Sequence, residues 1–409
     1  MSPIVALALF LAFQTNFSEQ GLSQKGMQAL DDKQYPAAVD DFNKAIAADP
    51  KDYSLHFNLA LAYSLMGKNA EAIPEYKKTL ELKPDLYEAE LNLGISLLRE
   101  KQPAEAVPYL AAAVGQKATE YRPNYYLGAA LLGSGDFVKA EQQFTTALNL
   151  DPKSPDAELG LAHAFAGQNK LEDAAAHFHK AADLNPNYHD DLLELATMYE
   201  TAKQPEQAMA IYQQFPENPG AQERLGTLLL KAGKAAEAVP CFQIAVAKSP
   251  TEANRAGLAE AYLKNKQPDK AQPVVEQILA SDPDNFDIRM LHGRLIRDQR
   301  KFPEAAEEFE RATKLKPDSE QAWSELAGVL VMAENYPPAL AALDRIAALH
   351  AEKPGHVFLR AIVLDKIRDL KPALESYQRF LTMSQGENPN QEWQARQRIK
   401  LLQKEVGNK

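Results

Sequence analysis

Residues 58–82 read "NLALAYSLMGKNAEAIPEYKKTLEL", two helical stretches with Pro74 inside the second. A proline in a helix interior removes a backbone hydrogen bond, clashes with the carbonyl four residues back and costs about 3 kcal/mol. The arrangement nonetheless returns as "EAVPYL" at 105–110, "EAVPCF" at 237–242 and "KAQPVV" at 270–275. Pro74 and Pro108 are 34 residues apart, and Pro240 and Pro273 are 33 apart. A disfavoured placement that recurs at one interval marks a repeated unit.

A 34-residue frame makes the repeat explicit. Its repeats begin at Glu19, Tyr53, Tyr87, Tyr121, Pro155 and His189, and after a four-residue deletion at Pro219, Glu252, Phe286, Glu320 and Pro354. The twentieth place is alanine in all eleven, from Ala38 and Ala72 to Ala339 and Ala373. The eighth is always Gly or Ala, as in Gly26, Gly94, Gly128, Gly226 and Gly293. Small residues at these two places let paired helices approach closely. Large ones at the twenty-fourth (Phe42, Tyr76, Phe144, Phe178, Phe242, Phe309) fill the remaining space. Pro50, Pro84, Pro152, Pro186, Pro250, Pro283 and Pro317 close their repeats, since proline cannot continue a helix. The interior prolines are expected about one turn into each second helix, where few or no helical bonds are lost.

This pattern resembles the tetratricopeptide repeat, a helix–turn–helix unit with Leu-Gly, Tyr, Ala, Phe and Pro at these offsets. The resemblance runs over residues 19–387. It implies an all-α fold: a right-handed superhelical solenoid of about eleven such repeats with a C-terminal capping helix. The family's large aromatic at the fourth place survives only as Trp323. The expected organisation is residues 1–18 as a signal or short anchor, 19–218 as repeats one to six with the sixth shortened, 219–387 as repeats seven to eleven, and 388–409 as capping helix and tail. In the last segment Trp393, Ile399, Leu402 and Val406 are read as the stripe that covers the array.

Charge and composition narrow the function. The net charge of −11 argues against a nucleic-acid binder that works through a basic surface. Residues 1–218 carry 17 Lys+Arg against 30 Asp+Glu, whereas 219–409 carry 28 against 26. The single cysteine, Cys241, rules out an internal disulfide framework. No phosphate loop, dinucleotide fingerprint or H-E-x-x-H motif occurs, and His177 and His179 are two apart, so a helix points them in different directions. The reading is non-enzymatic, with no cofactor, metal or small-molecule substrate. "MSPIVALALFLAF" is too short for a membrane span and has the length of a signal core. Export from a bacterial cell is expected, with cleavage between Phe13 and Glu19. An uncleaved anchor, which would give the chain its one membrane contact through residues 1–18, and a cytoplasmic adaptor are the alternatives.

In the family, the first helix of each repeat lines a concave groove through its second, fifth, ninth and twelfth places, often with Asn at the sixth. That assigns Phe57, Leu61, Leu91, Ile95, Leu98, Tyr125 and Leu132 to a groove for a protein or extended peptide, with Asn58 and Asn92 bonding its backbone. The competing reading packs these residues between neighbouring repeats. Two of the same places give a second candidate, Arg294 and Arg297, joined by Lys264 of repeat eight, for an acidic segment; its competitor is a local ion-pair lattice with Glu260 level with Arg294. A targeting subunit that presents substrates to an enzyme in trans is the rival function. His292, at the usual buried Leu place of repeat nine, is read as a core histidine.

Overall fold

The computed structural model describes residues 21–407, and these are helical throughout apart from turns and one 3-10 segment. They form two compact bodies divided between Ile211 and Tyr212. The expectations for residues 1–18 lie outside the described residues.

The first body opens with α1 (21–31) and α2 (Tyr35–Ala48). It continues through α3 (Tyr53–Leu65), α4 (Asn69–Leu82), α5 (Tyr87–Arg99), α6 (Pro103–Gln116), α7 (Tyr121–Gly133) and α8 (Phe137–Leu150). Then follow α9 (Pro155–Gly167), α10 (Leu171–Leu184), the 3-10 turn Pro186–Asp191, α11 (Leu192–Thr201) and α12 (Pro205–Tyr212). The second body holds α13 (Pro219–Lys231), α14 (Ala235–Lys248), α15 (Glu252–Lys264), α16 (Pro268–Ser281), α17 (Phe286–Asp298) and α18 (Phe302–Leu315). It ends with α19 (Glu320–Met332), α20 (Tyr336–Ala348), α21 (Pro354–Lys366), α22 (Leu370–Ser384) and α23 (Pro389–Gly407). Each repeat is one consecutive helix pair, and within each body a pair packs on the next.

The small and large places interlock as the pattern requires. The twentieth-place alanine is fully buried in every repeat. A Cβ built on Gly94 would come within 2.4 Å of Leu110, and one on Gly226 within 2.7 Å of Phe242. Glycine in the sixth place does the same work between repeats. A Cβ on Gly160 would meet Phe144 at 2.5 Å, and one on Gly257 would meet Phe242 at 2.3 Å. The aromatic of one repeat therefore fills a notch in the next.

Helix ends explain the punctuation. The residue before several first helices supplies a cap: the side chains of Ser154, Thr251, Asn285 and Ser319 accept N–H groups of the first turn. The turn between paired helices is a Schellman motif, with a left-handed residue at the fifteenth place of all eleven repeats. At Lys101 φ is 58°, and the next N–H, of Gln102, reaches back to the Leu97 carbonyl at 2.8 Å. The interior prolines lie deeper than the sequence reading placed them. Pro74 is the sixth residue of α4, whereas the Ala72 N–H already bonds the Lys68 carbonyl. Each such proline forgoes one helical bond.

The capping helix α23 also differs from expectation. Its buried side chains are Glu392, Ala395 and Leu402, with Ile399 and Val406 partly covered, while Trp393 is 64% exposed. The 3-4-3-4 spacing of the buried set puts Trp393 one residue out of phase, so it faces solvent. Arg398 anchors the helix with two bonds to Asp365, at 2.5 and 2.7 Å.

Candidate functional site

The fourth place, where the family's aromatic is missing, turns out to hold a conserved contact made by different side chains. In repeat ten, Trp323 Nε1 donates to the carbonyl of the closing proline Pro317, six residues back, at 2.8 Å. His56 contacts the Pro50 carbonyl at 3.2 Å, and Asn124 donates to that of Ala118 at 3.0 Å. Arg289 donates to the Pro283 carbonyl. A buried carbonyl without a donor is costly, so what matters at this place is the N–H rather than the ring. Where the place is acidic, other partners satisfy it. Glu90 accepts from Gln116 at 2.7 Å, and burial raises its pKa above the ordinary value. Fully buried Glu158 is held by His177 at 2.6 Å and by Lys180. His177 is thus committed to this contact. Burial likewise raises the pKa of the Cys241 thiol, which packs inside α14. His292 lies between Glu276 at 3.5 Å and Glu308 at 3.7 Å.

The groove residues divide into two sets. Leu91 and Ile95 are 4% and 7% exposed and belong to the core of the first body. Phe57, Asn58, Leu61, Asn92 and Tyr125 are half-buried, with part of each side chain open. Phe57 meets Tyr76 edge-on at 5.9 Å. Tyr125 stacks on Tyr121 at 5.6 Å and meets Phe144 edge-on at 5.9 Å, and burial raises its hydroxyl pKa. The Tyr76 hydroxyl, pushed up to about 12 by burial, accepts a bond from the Ser64 hydroxyl at 3.3 Å. Among the described residues no group is hydrogen-bonded to the Asn58 side chain.

The basic candidate is neutralised within the second body. Arg294 Nε and Arg297 Nη1 both bind Glu325 of the next repeat, the former at 2.7 Å. Lys264 pairs with Glu260 at 2.8 Å. The lattice uses Glu325 on Arg294, not Glu260 as the sequence reading had it.

A feature of which the sequence reading named only Leu132 is a cleft of about 710 Å³ on repeats four to six. Its lining includes Leu132, Phe137, Ala166, Leu171 and Met198, with Glu194 at its polar edge. His163, Ala166 and Thr197 occupy the ninth and twelfth places, the same faces that carry Leu61 and Ile95. The available signal was glycine at the thirteenth place of repeat five, Gly167. A Cβ on Gly167 would run into Phe137 at 2.4 Å.

Comparison with known proteins bears directly on these offsets. Three family models, each described as tetratricopeptide repeat, match residues 42–73; residues 66–123, 159–222 and 291–357; and residues 97–155, 131–176 and 229–295. The comparison with curated proteins gives no match. Among solved structures, a tetratricopeptide repeat protein from Parabacteroides merdae is 19% identical, with a TM-score of 0.42 over 60% of this chain and 98% of its own. YrrB, described as a tetratricopeptide repeat protein with an unusual peptide-binding site, is 21% identical, with a TM-score of 0.41 over 48% of this chain and 98% of its own. MamA from Desulfovibrio magneticus is 23% identical, with a TM-score of 0.39 over 42% of this chain and 96% of its own. The matched models together span 42–222 and 229–357, about three quarters of the chain and the stretch in which the buried alanine and left-handed turn recur. This protein belongs to the tetratricopeptide repeat family.

Proposed function

We propose that the chain is a non-enzymatic scaffold that binds a protein or an extended peptide across the first helices of repeats two to four. The observation that carries this is the Asn58 amide. It sits beside half-open Phe57 and Leu61 with its donor and acceptor unused by the chain, as a group that bonds a peptide backbone must be. Tyr125 and Phe57 supply the large anchors in which interface energy concentrates. Leu91 and Ile95 act beneath them as support. The Arg294–Arg297 pair is the weaker candidate, because an incoming carboxylate has to displace Glu325.

The setting we propose is the bacterial envelope or a secretory assembly, on the strength of the apolar run at residues 4–13. No helix among the described residues is long and apolar enough to cross a membrane. A reporter fused behind residues 1–25 should be translocated; a fully cytoplasmic reporter refutes the export reading.

The groove is tested by Phe57→Ala with Tyr125→Ala, read by partner capture and by melting together. Loss of the partner with nearly unchanged melting supports the groove. Destabilisation by several kcal/mol, as large-to-small core changes bring, assigns both residues to packing instead.

A further inference from the structure

The exposed face of α23 and the cleft on repeats four to six have complementary chemistry. At about 100° of turn per residue, Trp393, Gln397, Lys400, Leu401 and Lys404 fall within an arc of about 100°. Trp393 is 64% and Leu401 51% exposed, on the side of α23 opposite the stripe that caps repeat eleven. Among the described residues no carboxylate pairs with Lys400 or Lys404, whereas Arg396 and Arg398 are already engaged. This is a basic amphipathic helix face with an unburied aromatic anchor. The cleft has the opposite character: an apolar floor of Leu132, Phe137, Ala166 and Met198, and Glu194 at its edge. Glu194 stands 3.7 Å from His163 and keeps about half of its side chain exposed.

We propose that the cleft takes the outer face of α23 from a second copy of the chain, with Trp393 on the apolar floor and the Lys400–Lys404 edge against Glu194. The inference rests on the reading that this family member binds protein through its first-helix face, and it names one partner for a different part of that face. The spacing of Trp393, Gln397, Lys400 and Lys404 is that of a helix laid into a groove. The contact is heterologous, so each copy keeps one free helix and one free cleft, and association continues head to tail. Salt weakens it, because its charges are exposed.

The test is sedimentation velocity of the full-length protein over a concentration series, at low and high salt. Wild type should show a mass that grows with concentration and falls with salt. Trp393→Ala with Lys400→Glu and Lys404→Glu removes the helix face. Thr197→Arg, at an exposed position on the cleft wall, blocks the cleft. Each variant alone should raise the dissociation constant at least about tenfold, the scale of a lost aromatic anchor or a reversed charge. An equal mixture of the two should stop at a one-to-one pair, because only one competent helix and one competent cleft remain. Unchanged helicity in both variants guards against misfolding. Wild type that stays monomeric while the cleft takes a basic helix from another protein overturns the proposal, as does association that survives in both variants. The Phe57→Ala, Tyr125→Ala variant separates this from the groove reading: it should lose its foreign partner and keep self-association.

Discussion

Arg289 in α17 and Glu308 in α18 stand nineteen residues apart and close a 2.6 Å ion pair with both side chains buried. The same spacing joins His56 to Glu75 and Glu158 to His177, each at 2.6 Å. In repeats two, five and nine the fourth and twenty-third places therefore form one polar seam across the helix pair. Burial alone would raise the pKa of Glu308, but nearby His292 and the Arg289 charge outweigh it and hold the carboxyl below its ordinary value.

Glu308→Leu should destabilise the second body by about 3–5 kcal/mol, because it leaves the Arg289 charge buried and alone. Adding Arg289→Met should recover most of that loss. Because the folded pKa of Glu308 is depressed, its contribution is complete above about 4.5, its ordinary value, and is lost as pH falls through the lower folded value. Urea titrations of the three proteins at neutral and acid pH check both points, and equal losses in the single and double variants would sink the seam.

Asn124 donates to two carbonyls, Ala118 at 3.0 Å and Glu120 at 2.7 Å. Asn124→Leu should cost about 1–3 kcal/mol by orphaning them. Asn124→His, which copies the donor of repeat two, should cost clearly less. Thermal melting of both compares the N–H with the side-chain shape; identical losses would mean that shape decides.

Lys101 and Arg300 hold φ values of 58° and 62°, a region that costs an L-residue about 1–2 kcal/mol. Lys101→Gly and Arg300→Gly should each stabilise the fold by up to about 1 kcal/mol, because glycine's extra freedom in the unfolded chain offsets part of the relief. Gly67→Val, at a φ of 74°, should destabilise it. A lower melting temperature in both glycine variants would contradict the strain argument.

Truncation after Gly386 removes α23 and uncovers the cluster around Phe358, Tyr377 and Phe380. Loss of Arg398 leaves the Asp365 carboxylate without its two bonds. Faster amide exchange confined to α21 and α22, with lower solubility, is the expected result. Unchanged exchange there would mean that repeat eleven needs no cover.

The fold was legible because its packing falls on invariant residues. Alanine at the twentieth place stays alanine, since nothing larger fits where Ala38 or Ala305 lies wholly buried. The turn was not legible as a left-handed position, because only Gly67, Gly135 and Gly233 advertise it and the other eight repeats spend backbone strain on residues such as Lys203 or Glu334. The fourth-place contact was hidden for a related reason: histidine, asparagine, arginine and tryptophan share a donor and little else. Trp393 misled because an aromatic on a capping helix invites burial, yet the 392–395–399–402–406 phase excludes it. The cleft escaped because nothing in the repeat pattern marks the close approach of Gly167 to Phe137 in its lining.

The seam between the fourth and twenty-third places also works as an address. Eleven near-identical helix pairs in one chain invite mispairing during folding, since their alanine and aromatic places are interchangeable. The polar pairs are not: repeat two sets histidine against glutamate, repeat five glutamate against histidine, and repeat nine arginine against glutamate. If the first helix of repeat five docked on the second helix of repeat two, Glu158 would meet Glu75, two carboxylates with no cation between them. Such a mismatch buries unpaired charge and costs several kcal/mol, whereas the apolar contacts would hardly register the error. The labels of repeats two and nine would accept each other's partners, but both reject those of repeat five.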